Sequence, residues 1–175
     1  METNPEIIAL VSQARDQYQQ GDFHSAAAIY GRVGDVYASQ GDVLMAAEMK
    51  NDQCVSLLRG GFLQEALDAV NGTEDVFASV QDFRRMGIAA ANRGSVLEAL
   101  KRTPDAVDAY TLSAEYLQKA GEDQMRLQVM QLLSAIHLKR GKLLNAVMAL
   151  QSGFSGIRNP TKKQKLMKKL LFIRI

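Results

Sequence analysis

Apolar side chains recur every three or four positions along most of this chain. Between Phe23 and Gln40 they stand at Ala26, Ala27, Ile29, Tyr30, Val33 and Tyr37. The next stretch, from Val43 to Arg59, repeats the spacing at Met45, Met49, Val55 and Leu58. This spacing places apolar groups on one face of an α-helix, whereas a half-buried strand would alternate at every second position. The pattern therefore predicts consecutive amphipathic helices and argues against a sheet protein.

Turn signals return at a fixed interval and divide the chain into equal blocks. Counting every twentieth residue from Gly21 gives mostly glycines: Gly21, Gly41, Gly61, Gln81, Lys101, Gly121 and Gly141. Glycine stops helices, and a following Asp is a preferred N-cap. We expect long helices over about 5–20, 23–40, 43–59, 83–100, 104–120 and 123–140, with Asn4 and Thr103 as further N-caps. Asn71-Gly72-Thr73 interrupts the fourth block and predicts two short helices, about 63–70 and 74–80.

Every second block restates the same residues, so two successive blocks form one repeating unit. Alanine returns at Ala26, Ala66, Ala106 and Ala146, and small residues return at Ala14, Cys54, Gly94 and Ser134. One helical hairpin cannot bury its apolar face alone, but stacked hairpins bury a continuous core. We expect four hairpins, at 1–40, 41–80, 81–120 and 121–158, and a separate C-terminal segment at 159–175. Gly94 is expected to be a packing position inside a helix.

The two halves of the chain align with each other when Gly41 is set against Gly121. This alignment matches Tyr30 with Tyr110 and Met45 with Met125, and it places Gln151-Ser152-Gly153 opposite Asn71-Gly72-Thr73. The halves are therefore related, and a second break is expected near residues 151–153.

These residues resemble the tetratricopeptide repeat family. The matching positions are Gly21-Asp22-Phe23 with Ala26 and Tyr30, Gly61 with Ala66, Gly94 with Ala106 and Tyr110, and Gly141 with Ala146. The 40-residue unit is similar to the longer repeats of the soluble attachment proteins of vesicle fusion and of some bacterial signalling regulators. The resemblance implies an all-α, right-handed superhelix of helical hairpins, an α-solenoid, whose first helices line a concave peptide-binding groove. Carried over by position, the groove residues are Arg15, Tyr18, Gln19, Asn51, Val55, Arg59, Ser95, Glu98, Gln131 and Lys139.

Composition and isolated reactive residues point away from catalysis and metal binding. The single cysteine and the acidic N-terminus without a secretory core predict a reducing, cytoplasmic location. Cys54 shares a small-residue position, so burial explains it better than reactivity. His24 and His137 have no partner at metal-ligand spacing. The pairs Glu74-Asp75 and Glu122-Asp123 open helices, where the helix dipole favours them. We expect no enzyme activity, no cofactor and no metal.

Charge divides the chain into two parts. All 19 acidic residues lie at or before Asp123, whereas the residues from Gln124 onward carry 11 Lys and Arg and no acid. The final stretch, 161–175, predicts an amphipathic helix with Leu166, Leu170 and Ile173 on one stripe, Met167 beside it, and a basic set at Lys162, Lys163, Lys165, Lys168 and Lys169.

Four functions remain open for this tail: a cap on the last hairpin, an anionic-membrane anchor, a nucleic-acid contact, and a contact with the acidic part of a second copy. For the whole chain we expect a non-catalytic scaffold that binds a protein or peptide in its groove. The alternative is an adaptor that binds an anionic membrane or nucleic acid through the basic tail.

Overall fold

The computed structural model describes residues 5–172, and this part of the chain is all-helical without a strand. The predicted cap Asn4 and the stripe residue Ile173 lie outside the described residues. The helices are α1 (Pro5–Gln20), α2 (Phe23–Ser39), α3 (Val43–Gly60), α4 (Leu63–Val70), α5 (Thr73–Ala78), α6 (Phe83–Ala99), α7 (Thr103–Lys119), α8 (Asp123–Lys139), α9 (Leu143–Ser155) and α10 (Lys162–Leu171). The all-α prediction and the division of the fourth block into two short helices are confirmed.

The regular interval between turns is a backbone feature as well as a sequence feature. Positive φ occurs at all seven interval positions: 85° at Gly21, 79° at Gly41, 83° at Gly61, 55° at Gln81, 62° at Lys101, 72° at Gly121 and 70° at Gly141. At five of them glycine adopts this conformation without a steric penalty, but Gln81 and Lys101 carry a Cβ. The left-handed turn is therefore kept even where its preferred residue is missing.

Helix starts follow the turns more closely than they follow capping residues. The carboxylates of Asp22, Asp42 and Asp82 each accept a hydrogen bond from the backbone N–H of the residue three positions later, at 3.1, 3.1 and 2.9 Å. Thr103, which we predicted as a cap, is instead the first residue of α7, and Arg102 occupies the N-cap position without a side-chain cap. The left-handed turn at Lys101 sets this start, because each long helix begins two residues after its turn.

Helices pack in sequence-adjacent pairs, with the most extensive contacts between α6 and α7, α2 and α3, and α8 and α9. The short helices α4 and α5 both contact α3 and α6. The small-residue positions are all buried, with relative exposures of 0% at Ala14 and Cys54 and 3% at Ser134, and Gly94 is buried with them. Small side chains at these positions let neighbouring helices approach closely, as the sequence predicted.

Gly94 is a packing position because of one aromatic ring. A Cβ added to it would lie 2.8 Å from two carbons of the Tyr110 ring, and that ring is 1% exposed. The phenol lies against the α6 backbone where any side chain would stand. The ~1 kcal/mol that glycine costs in a helix is therefore offset by burial of a large aromatic group.

The second predicted break is absent, because α9 runs without interruption through Gln151, Ser152 and Gly153. Gly153 lies inside the helix, where an added Cβ would meet Leu127 at 2.9 Å and Met130 at 3.0 Å. This glycine is explained by close packing against α8, and it does not form a turn. The two halves therefore differ in the helix that follows their last shared turn.

The last helix, α10, contacts α9 and buries only part of its surface. Leu171 packs against the cluster of Leu127, Phe154 and Ile157, but Leu166 and Leu170 are 58% and 56% exposed. A simple cap would turn this stripe toward the body, so the capping prediction does not describe these two leucines. Within residues 5–172, no helix is both long enough and apolar enough to cross a membrane.

The two non-glycine turns allow a stability test. Gln81→Gly and Lys101→Gly should each raise the free energy of unfolding by about 0.5–1 kcal/mol, because glycine adopts positive φ without strain. Gln128→Gly, at an exposed position inside α8, should lower it by about 1 kcal/mol. Urea unfolding monitored by circular dichroism measures the stability of all three variants. A loss of stability in Gln81→Gly or Lys101→Gly would contradict the conclusion that these residues adopt a strained left-handed turn.

The close approach at Gly94 gives a second prediction. Gly94→Ala should destabilise the protein by about 1–3 kcal/mol, since the Tyr110 ring has no room to move. Gly31→Ala is the matched control, because its new Cβ meets only the flexible end of Gln53, at 2.7 Å. The control should be neutral or gain up to about 1 kcal/mol from helix propensity. Equal behaviour of the two variants in thermal melts would refute the packing explanation.

Candidate peptide-binding groove

An open cleft of about 480 Å³ lies between α3 and α6. Two of the predicted groove residues, Asn51 and Val55, line it, together with Ile88 of α6 and Phe77 of α5. Its remaining lining residues are polar: Glu48, Asp52, Asp82, Arg84, Arg85 and Asn92. The cleft therefore combines an apolar patch with both signs of charge.

One ion pair, between Arg85 and Glu48, joins the two sides of this cleft. The Arg85 guanidinium on α6 binds Glu48 of α3 at 2.7 Å and Asp82 at 3.3 Å. The preceding arginine, Arg84, also lines the cleft and binds Glu122 at the start of α8, at 2.9 Å. Both arginines are thus already engaged by acids.

Asp52 is the carboxylate in the cleft that no cation binds directly. Burial, reinforced by the nearby negative charge of Glu48, raises the pKa of Asp52 to about 6, and Arg15 on α1 opposes the shift. Among residues 5–172, no donor forms a hydrogen bond or ion pair with its side chain. A half-buried carboxylate in this state would gain free energy from a cationic group entering the cleft.

A pair of amides crosses from α3 to α6. The buried Asn51 donates through Nδ2 to the Ala47 carbonyl at 3.0 Å, and its Oδ1 accepts from Asn92 Nδ2 at 3.2 Å. Within the described chain, the Asn92 Oδ1 has no donor. It is an acceptor at the cleft wall, suitable for a backbone N–H of a bound segment.

Two tyrosines bring their hydroxyls to equivalent places in the two halves. Tyr110 of α7 donates to Ser95 Oγ at 3.1 Å and lies 3.4 Å from Glu98 Oε2, and burial raises its pKa to about 12. Its counterpart Tyr30 of α2 interacts with Arg15; burial, followed by the charge of Asp52, raises its pKa. In both halves a second helix therefore supplies a polar group to the first-helix face.

The predicted groove residues fall into three clusters. Tyr18 and Arg59 meet around Phe23, with a ring separation of 5.2 Å for Tyr18 and a guanidinium 5.9 Å from the Phe23 ring centre. Asn51 and Val55 lie in the cleft, and Arg15 acts electrostatically on Asp52 between them in sequence. The third cluster contains Ser95, Glu98 and Lys139, and its Lys139 Nζ lies 2.9 Å from Glu98 Oε1. The last two residues, Gln19 and Gln131, are exposed and join none of these clusters.

Sequence reasoning missed the charged residues of the cleft. Glu48 and Arg85 are 37 positions apart, as are Arg15 and Asp52. Opposite charges separated by about one repeat could have identified these residues from the sequence, because residues at that separation lie on neighbouring first helices. The 40-residue period was already known from the sequence, so such charge pairs could have been searched for.

A second cavity, of about 530 Å³, lies between α7, α8 and α9 and contains none of the predicted residues. Two buried nitrogens on α8, Arg126 Nε and His137 Nδ1, lack a partner among the described residues. The other two guanidinium nitrogens of Arg126 donate to the carbonyl and hydroxyl of Ser152 at 2.9 and 2.8 Å. This arginine therefore joins α8 to α9, and the cleft at Asp52 remains the better candidate site.

The lone reactive side chains lie away from the cleft. Cys54 is a free, fully buried thiol, and burial raises its pKa to about 12, so it remains protonated at neutral pH. The packing role predicted for Cys54 is confirmed. In the part of the chain that the structure describes, no three His, Cys, Asp or Glu side chains gather in a metal-binding arrangement.

Comparisons with models of known protein families and with curated proteins find no match to this chain.

Burial of Asp52 predicts a pH-dependent stability. Its pKa in the folded protein, about 6, is above its ordinary value of 3.8, so the folded state binds more protons between these values and stability falls as the pH rises through them. Asp52→Asn should therefore raise the free energy of unfolding by about 1–3 kcal/mol at pH 8 and by little at pH 4.

Urea unfolding from pH 4 to pH 8 measures this difference. Asp35→Asn, at an exposed position of α2, is the matched control and should show no such trend. A gain for Asp52→Asn that is the same at pH 4 and pH 8 would show that the Asp52 charge is not responsible.

Proposed function

We propose that this protein is a non-catalytic interaction scaffold. In this proposal its hairpins form a right-handed superhelix similar to that of tetratricopeptide repeat proteins, and the first helices line a groove that binds a segment of another protein. The observation that carries the proposal is the open cleft with the unpaired Asp52 carboxylate between apolar and amide side chains.

Side-chain pairs separated by about one repeat support the stacked arrangement. Glu48 pairs with Arg85 and Glu98 with Lys139, over 37 and 41 positions. Further pairs at similar separation are Asn51 with Asn92, Arg84 with Glu122, and Gln124 with Gln164. Each pair connects one first helix, or its start, to the next, which is what a stack of hairpins requires.

The cleft chemistry favours a particular kind of segment. Val55 and Ile88 offer apolar contact, Asn92 offers an acceptor, and Asp52 offers an unpaired negative charge. An extended peptide with one Lys or Arg beside an apolar side chain satisfies all three. Such a ligand would lower the Asp52 pKa, so binding should strengthen as the pH rises from about 5 to 7.

The proposal assigns no catalytic role to the buried groups. Cys54 and Tyr110 have pKa values raised mainly by burial, and neither lies in the cleft. The cytoplasmic location expected from the cysteine content stays a prediction.

Peptide display against the full chain tests the groove. Selected peptides should carry a basic residue, and Val55→Arg should weaken their binding about tenfold or more by filling the cleft and adding a positive charge. Val36→Arg, at an exposed position of α2 outside the cleft, is the matched control and should bind like the wild type. Titration calorimetry at pH 5 and pH 7 measures both effects. Undiminished binding by Val55→Arg would place the binding site elsewhere.

A further inference from the structure

The orientation of α10 exposes the apolar stripe. Gln164, Lys168 and Leu171, which follow one another at spacings of four and three, are half-buried and form its inner face. The intervening face carries the large apolar side chains Leu166, Met167 and Leu170, which are exposed, and Phe172 just after the helix is exposed too. Of the three inner residues only Leu171 is apolar, whereas a helix that covers a core turns its main apolar stripe inward.

Specific contacts fix this orientation. Thr161 is the N-cap of α10 and forms a capping box. Its hydroxyl accepts from the Gln164 backbone N–H, and the Gln164 side chain accepts from the Thr161 backbone N–H. The same Gln164 donates through Nε2 to Gln124 Oε1 on α8 at 2.9 Å, and Gln151 of α9 donates to the Leu171 carbonyl at 2.7 Å. Leu171 packs on Phe154 and its neighbours. These contacts use both ends of α10 and leave the stripe between them outward.

Basic side chains lie beside the stripe and have no acidic partner in the part of the chain that the structure describes. Among residues 5–172, none of the tail lysines forms a salt bridge with an acid, and residues from Gln124 onward contain no acid at all. The set is Lys162, Lys163, Lys165 and Lys169, which are exposed, and Lys168, which is on the half-buried inner face. An apolar stripe bordered by unpaired lysines matches the apolar interior and the anionic headgroups of a lipid surface.

Apolar side chains are also exposed on the adjoining helix α9. Two of them, Leu144 and Met148, are 71% and 58% exposed, and Met148 lines the cavity between α7, α8 and α9. Their counterparts in the first half of the chain are Gln64 and Asp68, which are hydrogen-bonded to each other at 3.0 Å. The chain thus carries apolar side chains near its basic end where its first half carries polar ones.

Other occupants fit this surface less well. Nucleic acid would engage the lysines but would leave the leucine stripe in water. Two copies that paired their stripes would bring their lysines together, and like charges repel. Docking onto the acidic part of a second copy would compete in part with existing ion pairs, because seven of the 19 acids are already bound to basic side chains: Glu48, Glu74, Asp82, Glu98, Asp105, Glu122 and Asp123.

We propose that α10 is a membrane-docking helix, which lies on anionic bilayers with Leu166 and Leu170 inserted among the lipids and the lysines at the phosphates. The helix would lie in the plane of the surface and hold the rest of the protein, with its groove, beside the membrane. This inference rests on α10 alone and does not require that the cleft binds a peptide.

The absence of tryptophan from the chain gives a direct test. Leu170→Trp places a single indole on the stripe, and Phe62→Trp places one at an exposed turn outside α10. Both full-length variants are mixed with vesicles of phosphatidylcholine alone or with phosphatidylserine added. The Leu170→Trp emission should shift to the blue only with the anionic vesicles, and the Phe62→Trp emission should not change. No shift in Leu170→Trp would overturn the proposal.

Substitutions separate insertion from simple charge attraction. Leu166→Gln with Leu170→Gln should weaken vesicle binding about tenfold or more. The matched control, Ile8→Gln with Val43→Gln, replaces residues of similar exposure, 56% each, outside α10, and should bind like the wild type. Lys165→Ala with Lys169→Ala should weaken binding about fivefold per lysine at low salt.

Cosedimentation measures these affinities, and circular dichroism checks that each variant is folded. Full binding by the leucine variant would show that the stripe does not insert and would refute the proposal. Two further results would refute it in favour of another occupant: oligonucleotide binding without vesicle binding, or light scattering that shows a salt-sensitive assembly abolished by the leucine substitutions.

Discussion

The left-handed turn that recurs at a constant interval from Gly21 to Gly141 is the constraint on which the rest of this structure depends. It ends each long helix, and the next one begins two residues later, so helix length and the phase of each face are set together. Because the phase is preserved, side chains about one repeat apart meet, as Glu48 and Arg85 do. The turn survives at Gln81 and Lys101 without glycine, which shows that packing on both sides of the turn enforces a conformation that the local sequence does not favour.

Close packing and the polar groove are connected through the tyrosines. Gly94 has no side chain, so the Tyr110 ring can lie against α6, and this position lets the phenol oxygen reach Ser95 and Glu98. Tyr30 reaches Arg15 in the first half in a similar way. A packing requirement in the core thereby determines which polar atoms stand on the first-helix face. The polar chemistry of this face therefore follows from the same close contacts that stabilise the fold.

The two proposed surfaces use different physics and lie in differently charged parts of the chain. The cleft is small and has an acid without a paired cation at Asp52, which suits a short basic segment. The outer face of α10 is an apolar stripe among lysines, which suits an extended anionic surface. Because all acids precede Gln124, the two surfaces do not compete for the same ligand. A scaffold of this kind would bring a bound protein segment to a lipid surface.

The sequence by itself determined the helices, the turns, the buried small positions and the division of charge, because these depend on local spacing and on residues at a fixed period. It did not determine the start of α7, where the turn at Lys101 overrode the capping preference of Thr103. Nor did it determine that α9 continues through Gly153, since glycine serves a turn and a close contact equally well. Helix spacing alone places Asp52 beside Glu48, four residues earlier on α3. Only the tertiary structure left Asp52 partly buried without a paired cation and turned Leu166 and Leu170 outward, because burial, ion pairing and helix orientation depend on contacts between distant residues.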